Sequence, residues 1–213
     1  MYTDAAGTTS ASVGDLVGRW ESWHDRDVAA TQATQNKKPT LGQRGDGSLY
    51  LDFDGVNDFL NVSGVASLLE IDAVDLWLVQ TQMTSEPALN VTTQAPNTDV
   101  NKNRLIGYLA YNDTLYFDYG DYSKGARISA PVPTGWYSAQ HLVELYRSSG
   151  VMELLVDGVQ QASKSGVTST LDKSIQDGFY VGRDFNGAMN NVLLCTTGLS
   201  APDRQRVENV LMP

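Results

Sequence analysis

The feature that most restricts this chain is a repeated short alternation, each run closed within a few residues by a turn signal. Residues 48–53 (SLYLDF) lead into Asp54-Gly55, and residues 75–83 (DLWLVQTQM) set Leu76 and Leu78 against Trp77 and Val79. Residues 104–111 and 115–119 flank Asn112-Asp113-Thr114, the pattern of a hairpin. Residues 126–130, 141–147, 151–156, 159–164, 179–181 and 188–196 continue the series, with Ser149-Gly150 and Asp157-Gly158 as further turn pairs. Period-two apolarity places alternate side chains on opposite faces of a strand, and Gly accepts the positive φ that tight turns demand. Many short strands with turns at this spacing predict an all-β, two-sheet sandwich.

One segment changes period. Ser200-Ala-Pro-Asp203 offers an N-cap Ser, Pro in the first turn and an acid at the third helical position, and Val207, Val210 and Leu211 follow at helical spacing. A short closing helix over residues 200–211 is expected. Residues 86–103 (EPALNVTTQAPNTDVNKN) form a polar stretch with two prolines and no period, a length usually reserved for functional loops. No repeat or composition shift divides the chain, so residues 1–213 read as a single domain with an N-terminal arm over residues 1–13.

Charge and residue scarcity remove several function classes. The net charge is −10, with 15 Lys plus Arg against 25 Asp plus Glu. Clustered cations for nucleic acid or for an anionic membrane are therefore not expected. A single cysteine, Cys195, excludes an internal disulfide, and with only His24 and His141 a Cys- or His-based zinc cage is excluded too. The start, MYTDAAGTTSASVG, has neither a basic nor an apolar signal region, and no run approaches about 18 apolar residues. Synthesis in a cytoplasm without standard secretion is the expectation.

The turns and tail together resemble a known family. Tyr2-Thr-Asp-Ala-Ala-Gly-Thr-Thr, Val17-Gly-Arg-Trp20, Ala30-Thr-Gln-Ala-Thr34 with Lys38-Pro-Thr40, and Tyr50-Leu-Asp-Phe-Asp-Gly-Val-Asn-Asp-Phe-Leu60 occur in order. Leu154-Leu-Val-Asp-Gly158, Val181-Gly-Arg183, Phe185-Asn-Gly187 and Leu199-Ser-Ala-Pro-Asp-Arg-Gln-Arg-Val-Glu-Asn209 complete the set. This series is similar to the laminin-G-like, concanavalin A-like lectin–glucanase jelly-roll domains, particularly their bacterial and bacteriophage branch. The resemblance implies an antiparallel jelly-roll sandwich with Trp20 between the sheets. Two places depart from it: the chain starts at Met1-Tyr2 without the family's usual first strand, and Ser22-Trp-His-Asp-Arg-Asp27 replaces a blander Gly-rich loop.

Three groups of residues carry candidate chemistry. Glu70, Asp72 and Asp75 resemble the acidic signature of retaining β-glucanases, whose two catalytic carboxyls must lie about 5–5.5 Å apart. Here the third acid is one methylene short, and the strand is expected to begin near Asp75, which leaves Glu70 and Asp72 in a loop. Asp52, Asp54, Asn57 and Asp58 supply oxygens of the kind calcium takes, without EF-hand spacing; as turn formers they have an ordinary role too. Trp23, His24, Asp25 and Asp27, with Tyr111, combine aromatic and planar polar groups suited to a glycan, and Tyr108, Tyr116, Tyr119 and Tyr122 cluster around the same hairpin. No nucleophile elbow accompanies His24 or His141, and Cys195 reads as a small buried hydrophobe.

The expected function is a non-catalytic structural or adhesion module. The resemblance implies a bacteriophage virion surface protein, a capsid decoration or tail-associated subunit, with glycan or host-surface binding. Lysis would release such a protein without a signal peptide. Its expected partners are capsid or tail subunits, glycans and copies of itself, with no nucleic acid, no membrane and no cofactor other than calcium. A free-standing carbohydrate-binding module is the alternative, and a glycosidase using Glu70, Asp72 and Asp75 the third.

Overall fold

The computed structural model describes residues 1–22, 28–85, 89–93, 103–176 and 178–211. The alternating runs become strands, in chain order β1 (Arg19–Glu21), β2 (Ala29–Thr31), β3 (Thr40–Gln43), β4 (Leu49–Asp54) and β5 (Leu60–Val62). A single helical turn, α1 (Val65–Leu68), precedes β6 (Val74–Gln82), β7 (Leu89–Thr92), β8 (Asn103–Tyr111), β9 (Thr114–Asp121) and β10 (Arg127–Pro131). Then come β11 (Gln140–Ser148), β12 (Val151–Val156), β13 (Val159–Lys164), β14 (Phe179–Arg183), β15 (Asn186–Cys195) and the closing helix α2 (Ala201–Leu211).

Two antiparallel sheets result, ordered β1-β2-β5-β14-β7-β8-β9-β10 and β13-β12-β11-β6-β15-β4-β3. Hairpins β8–β9, β9–β10, β11–β12 and β12–β13 are local. By contrast β14 inserts between β5 and β7, and β15 between β4 and β6. Each sheet is thus completed only by the last quarter of the chain, so the core depends on contacts of large sequence separation.

That core lies between the sheets and includes Leu51, Phe53, Leu60, Leu76, Leu78, Val91, Leu105, Leu109, Phe117, Val143, Leu145, Phe179, Val181 and Phe185. Full burial of each such side chain stabilises the fold by about 1.5–3 kcal/mol. Trp20 packs, half-buried, against the same core. Sheet spacing is tight at Gly107, where a Cβ would come 2.9 Å from Leu145 of the opposite sheet and 3.0 Å from Val91. At Gly182, φ is +77° and a Cβ would fall into the Phe53 ring, so two independent constraints exclude any side chain.

The strand β6 is buried along its whole length, in keeping with the apolar residues it carries on both faces, Leu76 and Leu78 on one and Trp77 and Val79 on the other. The reason is α2, which lies over the outer side of the seven-stranded sheet. Trp77, Val79 and Leu142 form a second cluster there with Leu193, Cys195, Leu199, Val207 and Leu211. Cys195 is accordingly half-buried in an apolar cluster. The helix starts as expected: the Ser200 hydroxyl accepts from the Asp203 amide at 3.4 Å and donates to the Asp203 carboxylate at 2.5 Å.

The N-terminal segment folds back on the domain. The Tyr2 amide donates to the Arg19 carbonyl at 2.9 Å, the Thr3 amide to the Thr9 carbonyl, and Met1 and Ala11 pack on the main core. The Lys38 ammonium, buried, donates to the Thr3 carbonyl at 2.8 Å. These contacts tie the segment to β1.

Candidate functional site

Strands β8, β9 and β10 place a polar and aromatic cluster on the outer face of the eight-stranded sheet. Leu105, Gly107 and Leu109 face the core, so Arg104, Ile106 and Tyr108 face outward. Register then aligns Tyr108 with Tyr116, and Ile106 with Asp118 and, one strand further, Arg127. Regular alternation would turn Tyr111 inward. Instead the pairing shifts between Leu109 and Tyr111, and Ala110 sits at φ 98° as the extra residue. A β-bulge of this kind re-aims the next side chain. Tyr111 therefore joins the outer face, its ring centroid 5.7 Å from Tyr108 and 6.4 Å from Tyr116.

Beside the tyrosines lies a charged group built from three strands. Asp118, with no exposed surface, accepts from Arg127 through both oxygens, Nε at 2.6 Å and Nη2 at 2.7 Å. Arg104 Nε stands 3.8 Å from the same carboxylate. The Arg127 guanidinium lies over the rings of Tyr116 at 5.0 Å and Tyr122 at 4.5 Å, and that of Arg104 over Tyr108 at 5.9 Å and Tyr122 at 5.5 Å. Burial raises the Asp118 carboxyl above its ordinary value, with Arg127 and Arg104 pulling the other way. The same contact holds Arg127 more firmly protonated. Paired and stacked groups keep few rotamers, so this face is ordered before any ligand arrives. Tyr111 is 38% exposed and Tyr108, Tyr116 and Tyr122 are half-buried, so ring faces and edges reach the surface. Such a surface can stack on an apolar ring face and hydrogen-bond to polar substituents.

Among the residues singled out from sequence, Tyr108, Tyr111, Tyr116 and Tyr122 belong to this cluster. Trp23, His24, Asp25 and Asp27 lie outside the described residues. Tyr119 points the other way, into the core, and its hydroxyl donates to the Glu70 carbonyl at 2.5 Å. Arg104, Asp118 and Arg127 were not anticipated. Their signal was the same-face spacing of Arg104 with Tyr108, four residues apart, and of Tyr116 with Asp118, two apart, read across the Asn112-Asp113 turn.

The three glucanase-like acids are not gathered. Glu70 and Asp72 are exposed in the loop before β6, whereas Asp75 is fully buried beneath α2. There Arg204 of α2 lies 3.9 Å from Asp75, pairs with Glu144, donates to Glu153 at 2.8 Å and stacks on Tyr146 at 4.0 Å. Burial, then the charge of Glu144, lift the Asp75 carboxyl to about 9 against the pull of Arg204. This set of side chains docks the helix.

The four calcium candidates sit around the β4 turn. Asp54 accepts from the Val56 amide at 2.8 Å and the Asn57 amide at 3.2 Å, and Asp58 from the Asp54 amide at 3.2 Å. Burial pushes Asp58 up to about 6 and raises Asp52 as well, with Asp54 adding repulsion in both cases. Among the described residues no three His, Cys, Asp or Glu side chains converge as a metal cage. His141 stacks on Trp136 at 4.8 Å and its Nδ1 lies 2.7 Å from Asp157. No helix among the described residues is long and apolar enough to cross a membrane.

No protein-family model matches the sequence, and no curated protein matches it either. Solved structures do share the fold. Trypanosoma rangeli sialidase in complex with the inhibitor DANA superposes with a TM-score of 0.62 at 14% identity, over 93% of this chain and 31% of the sialidase chain. The CBM40, a carbohydrate-binding module, of Ruminococcus gnavus IT-sialidase bound to α2,3 sialyllactose gives a TM-score of 0.54 at 13% identity, over 74% of this chain and 91% of the module. A botulinum neurotoxin type C structure, described as entering cells through interaction with two ganglioside molecules, gives 0.60 at 9% identity, over 93% of this chain and 51% of the toxin chain. The neighbours are lectin-like β-sandwiches of the concanavalin-like, jelly-roll class. This chain spans about a third of the sialidase chain, and at these identities the likeness is one of fold.

Proposed function

We propose that this β-sandwich is a non-catalytic glycan-recognition module whose binding surface is the outer face of β8, β9 and β10. The observation that carries the reading is the bulge at Ala110, which brings Tyr111 onto the face that holds Tyr108, Tyr116, Arg104, Arg127 and Asp118. Binding-ready aromatics next to fixed hydrogen-bonding groups are what a sugar requires. The separation of Asp75 from Glu70 and Asp72 favours recognition over hydrolysis. Sandwiches of the same fold bound to sialyllactose or linked to gangliosides support the same class of ligand. The setting we propose is a virion surface, as a capsid decoration or tail-associated protein, where repeated copies would turn weak single contacts into avidity.

A glycan array probed with the fluorescently tagged protein, presented multivalently, tests this. Wild type should bind a subset of glycans, and Tyr111→Ala and Arg127→Ala should each weaken that binding by about tenfold or more, the usual cost of truncating a central contact. Binding to no glycan, or equal binding by both variants, would overturn the reading.

A further inference from the structure

We infer that Asn90, inside the core, is a positioning residue for this site, its side chain holding the Ala110 bulge that turns Tyr111 outward. The inference rests on the glycan reading above and says what sets that surface. Ala110 is fully buried and sits at φ 98°. A residue with a Cβ adopts positive φ only under constraint, and such strain persists where surrounding contacts over-determine it. One contact from another strand reaches the residue next to it. The Leu109 amide donates to Asn90 Oδ1 at 2.9 Å.

Asn90 is itself out of step with its strand. Val91 lies in the core between the sheets, so regular alternation would turn Asn90 outward. The β7–β8 pairing instead shifts between Leu89 and Val91, and Asn90, with no exposed surface, reaches across the core. Its Nδ2 donates to Gln80 Oε1 at 2.5 Å. Gln80 is buried on β6 of the opposite sheet, on the inward face that carries Leu76 and Leu78. Two irregular pairings therefore meet at the Leu109 amide, β7–β8 on one side and β8–β9 on the other. Both hydrogen bonds of this bridge are buried, where an amide stripped of its partner is costly. Removing Asn90 takes that acceptor from Leu109, and with it the contact that offsets the strain at Ala110. Strand β8 then gains by returning to regular register, which carries Tyr111 inward and away from Tyr108 and Tyr116. Asn90 lies beneath the sheet and acts on the outer face only through Leu109 and Ala110.

Asn90→Leu alone would leave Gln80 Oε1 buried without its donor and could prevent folding. The test therefore uses Asn90→Leu/Gln80→Met, which replaces both partners by apolar groups of similar size. Leu76→Ala, a core cavity towards the other end of β6, is the control for lost stability. Two readouts are taken on the full chain. One is titration with the best-bound glycan of the array. The other is nitration of Tyr111 by tetranitromethane, located by peptide mass spectrometry, which needs no ligand. The double variant should bind the glycan about tenfold or more weakly, the loss expected of Tyr111→Ala itself. Nitration of Tyr111, 38% exposed in the native protein, should fall severalfold. Leu76→Ala, compared at a temperature where it is folded, should match wild type in both. Unchanged nitration in the double variant, or equal losses in Leu76→Ala, would overturn the inference and leave glycan recognition standing. If wild type binds no glycan, the glycan reading falls, and nitration alone decides whether Asn90 places Tyr111.

Discussion

Replacing Asp75 by Asn should stabilise the protein at neutral pH, and the gain should vanish in acid. Asp75 has no exposed surface, and its carboxyl is lifted to about 9, first by burial and then by the charge of Glu144. In the native state it therefore keeps its proton at pH 7. In the unfolded chain, with the ordinary value of 3.8, it has lost it. The native state binds the extra proton, so Asp75's contribution is fully present below about pH 4 and is lost as pH rises towards about 9. Between pH 3.8 and 7 that is about three units at about 1.4 kcal/mol each, or about 4 kcal/mol. Structural relaxation around a buried carboxyl lowers such figures, so a gain of about 2–4 kcal/mol at pH 7 is expected. Asn matches the protonated acid in shape and needs no proton, and Arg204 keeps Glu144 and Glu153. Urea unfolding at pH 4.5, 7 and 8.5 measures this directly, with an expected midpoint increase of about 1 M or more at pH 7. Wild type and Asp75→Asn should converge at pH 4.5 and diverge steadily above it. A variant destabilised equally at all three pH values would refute the reasoning.

Three further outcomes follow from single contacts. Gly182→Ala should cost about 3 kcal/mol or more, because it combines a positive φ of 77° with a clash against the Phe53 ring; a loss below about 1 kcal/mol by urea unfolding would contradict the packing described. Ser200→Ala removes the hydroxyl that caps α2 and should weaken that helix by about 1 kcal/mol. Amide exchange should then quicken in α2 while β8 and β9 keep their protection. Burial, with the nearby Asp75, raises the Cys195 thiol, so at pH 8 it should react with a disulfide reagent at least about tenfold more slowly in the folded protein than in urea. Equal rates would mean that α2 does not shield it.

Much of the fold is legible in the chain itself because it is decided locally. Strand β12 and strand β13 run as the alternation predicts, Val151–Val156 and Val159–Lys164, and the Asp157-Gly158 turn joins them with φ of 51° and 73°. Ser200 and Pro202 mark the start of α2 for equally local reasons. Tyr111 could be proposed from its neighbours and its place beside a hairpin. So could Tyr108 and Tyr116 around the same hairpin, but the group of Arg104, Asp118 and Arg127 beside them could not. Regular alternation would have sent Tyr111 inward, and nothing in Leu109-Ala-Tyr111 announces that Ala110 will bulge.

The remaining features came only with tertiary structure. Insertion of β14 and β15 into the middle of the two sheets pairs residues more than a hundred positions apart, as with Val181 and Leu60 or Ala188 and Asp52. Local propensity says where a strand forms but not which strand will lie beside it. Burial of both faces of β6, and with it the sealing of Asp75 away from Glu70, needed α2 to pack across the sheet. The joining of Arg104, Asp118 and Arg127 needed three strands in one register. A period of two follows from the geometry of one strand, and so the sequence alone determined an all-β sandwich closed by a short helix. Which side chains meet, and therefore what surface the sandwich offers a ligand, is set by pairing between distant strands, whose energy exists only once the sheets have assembled.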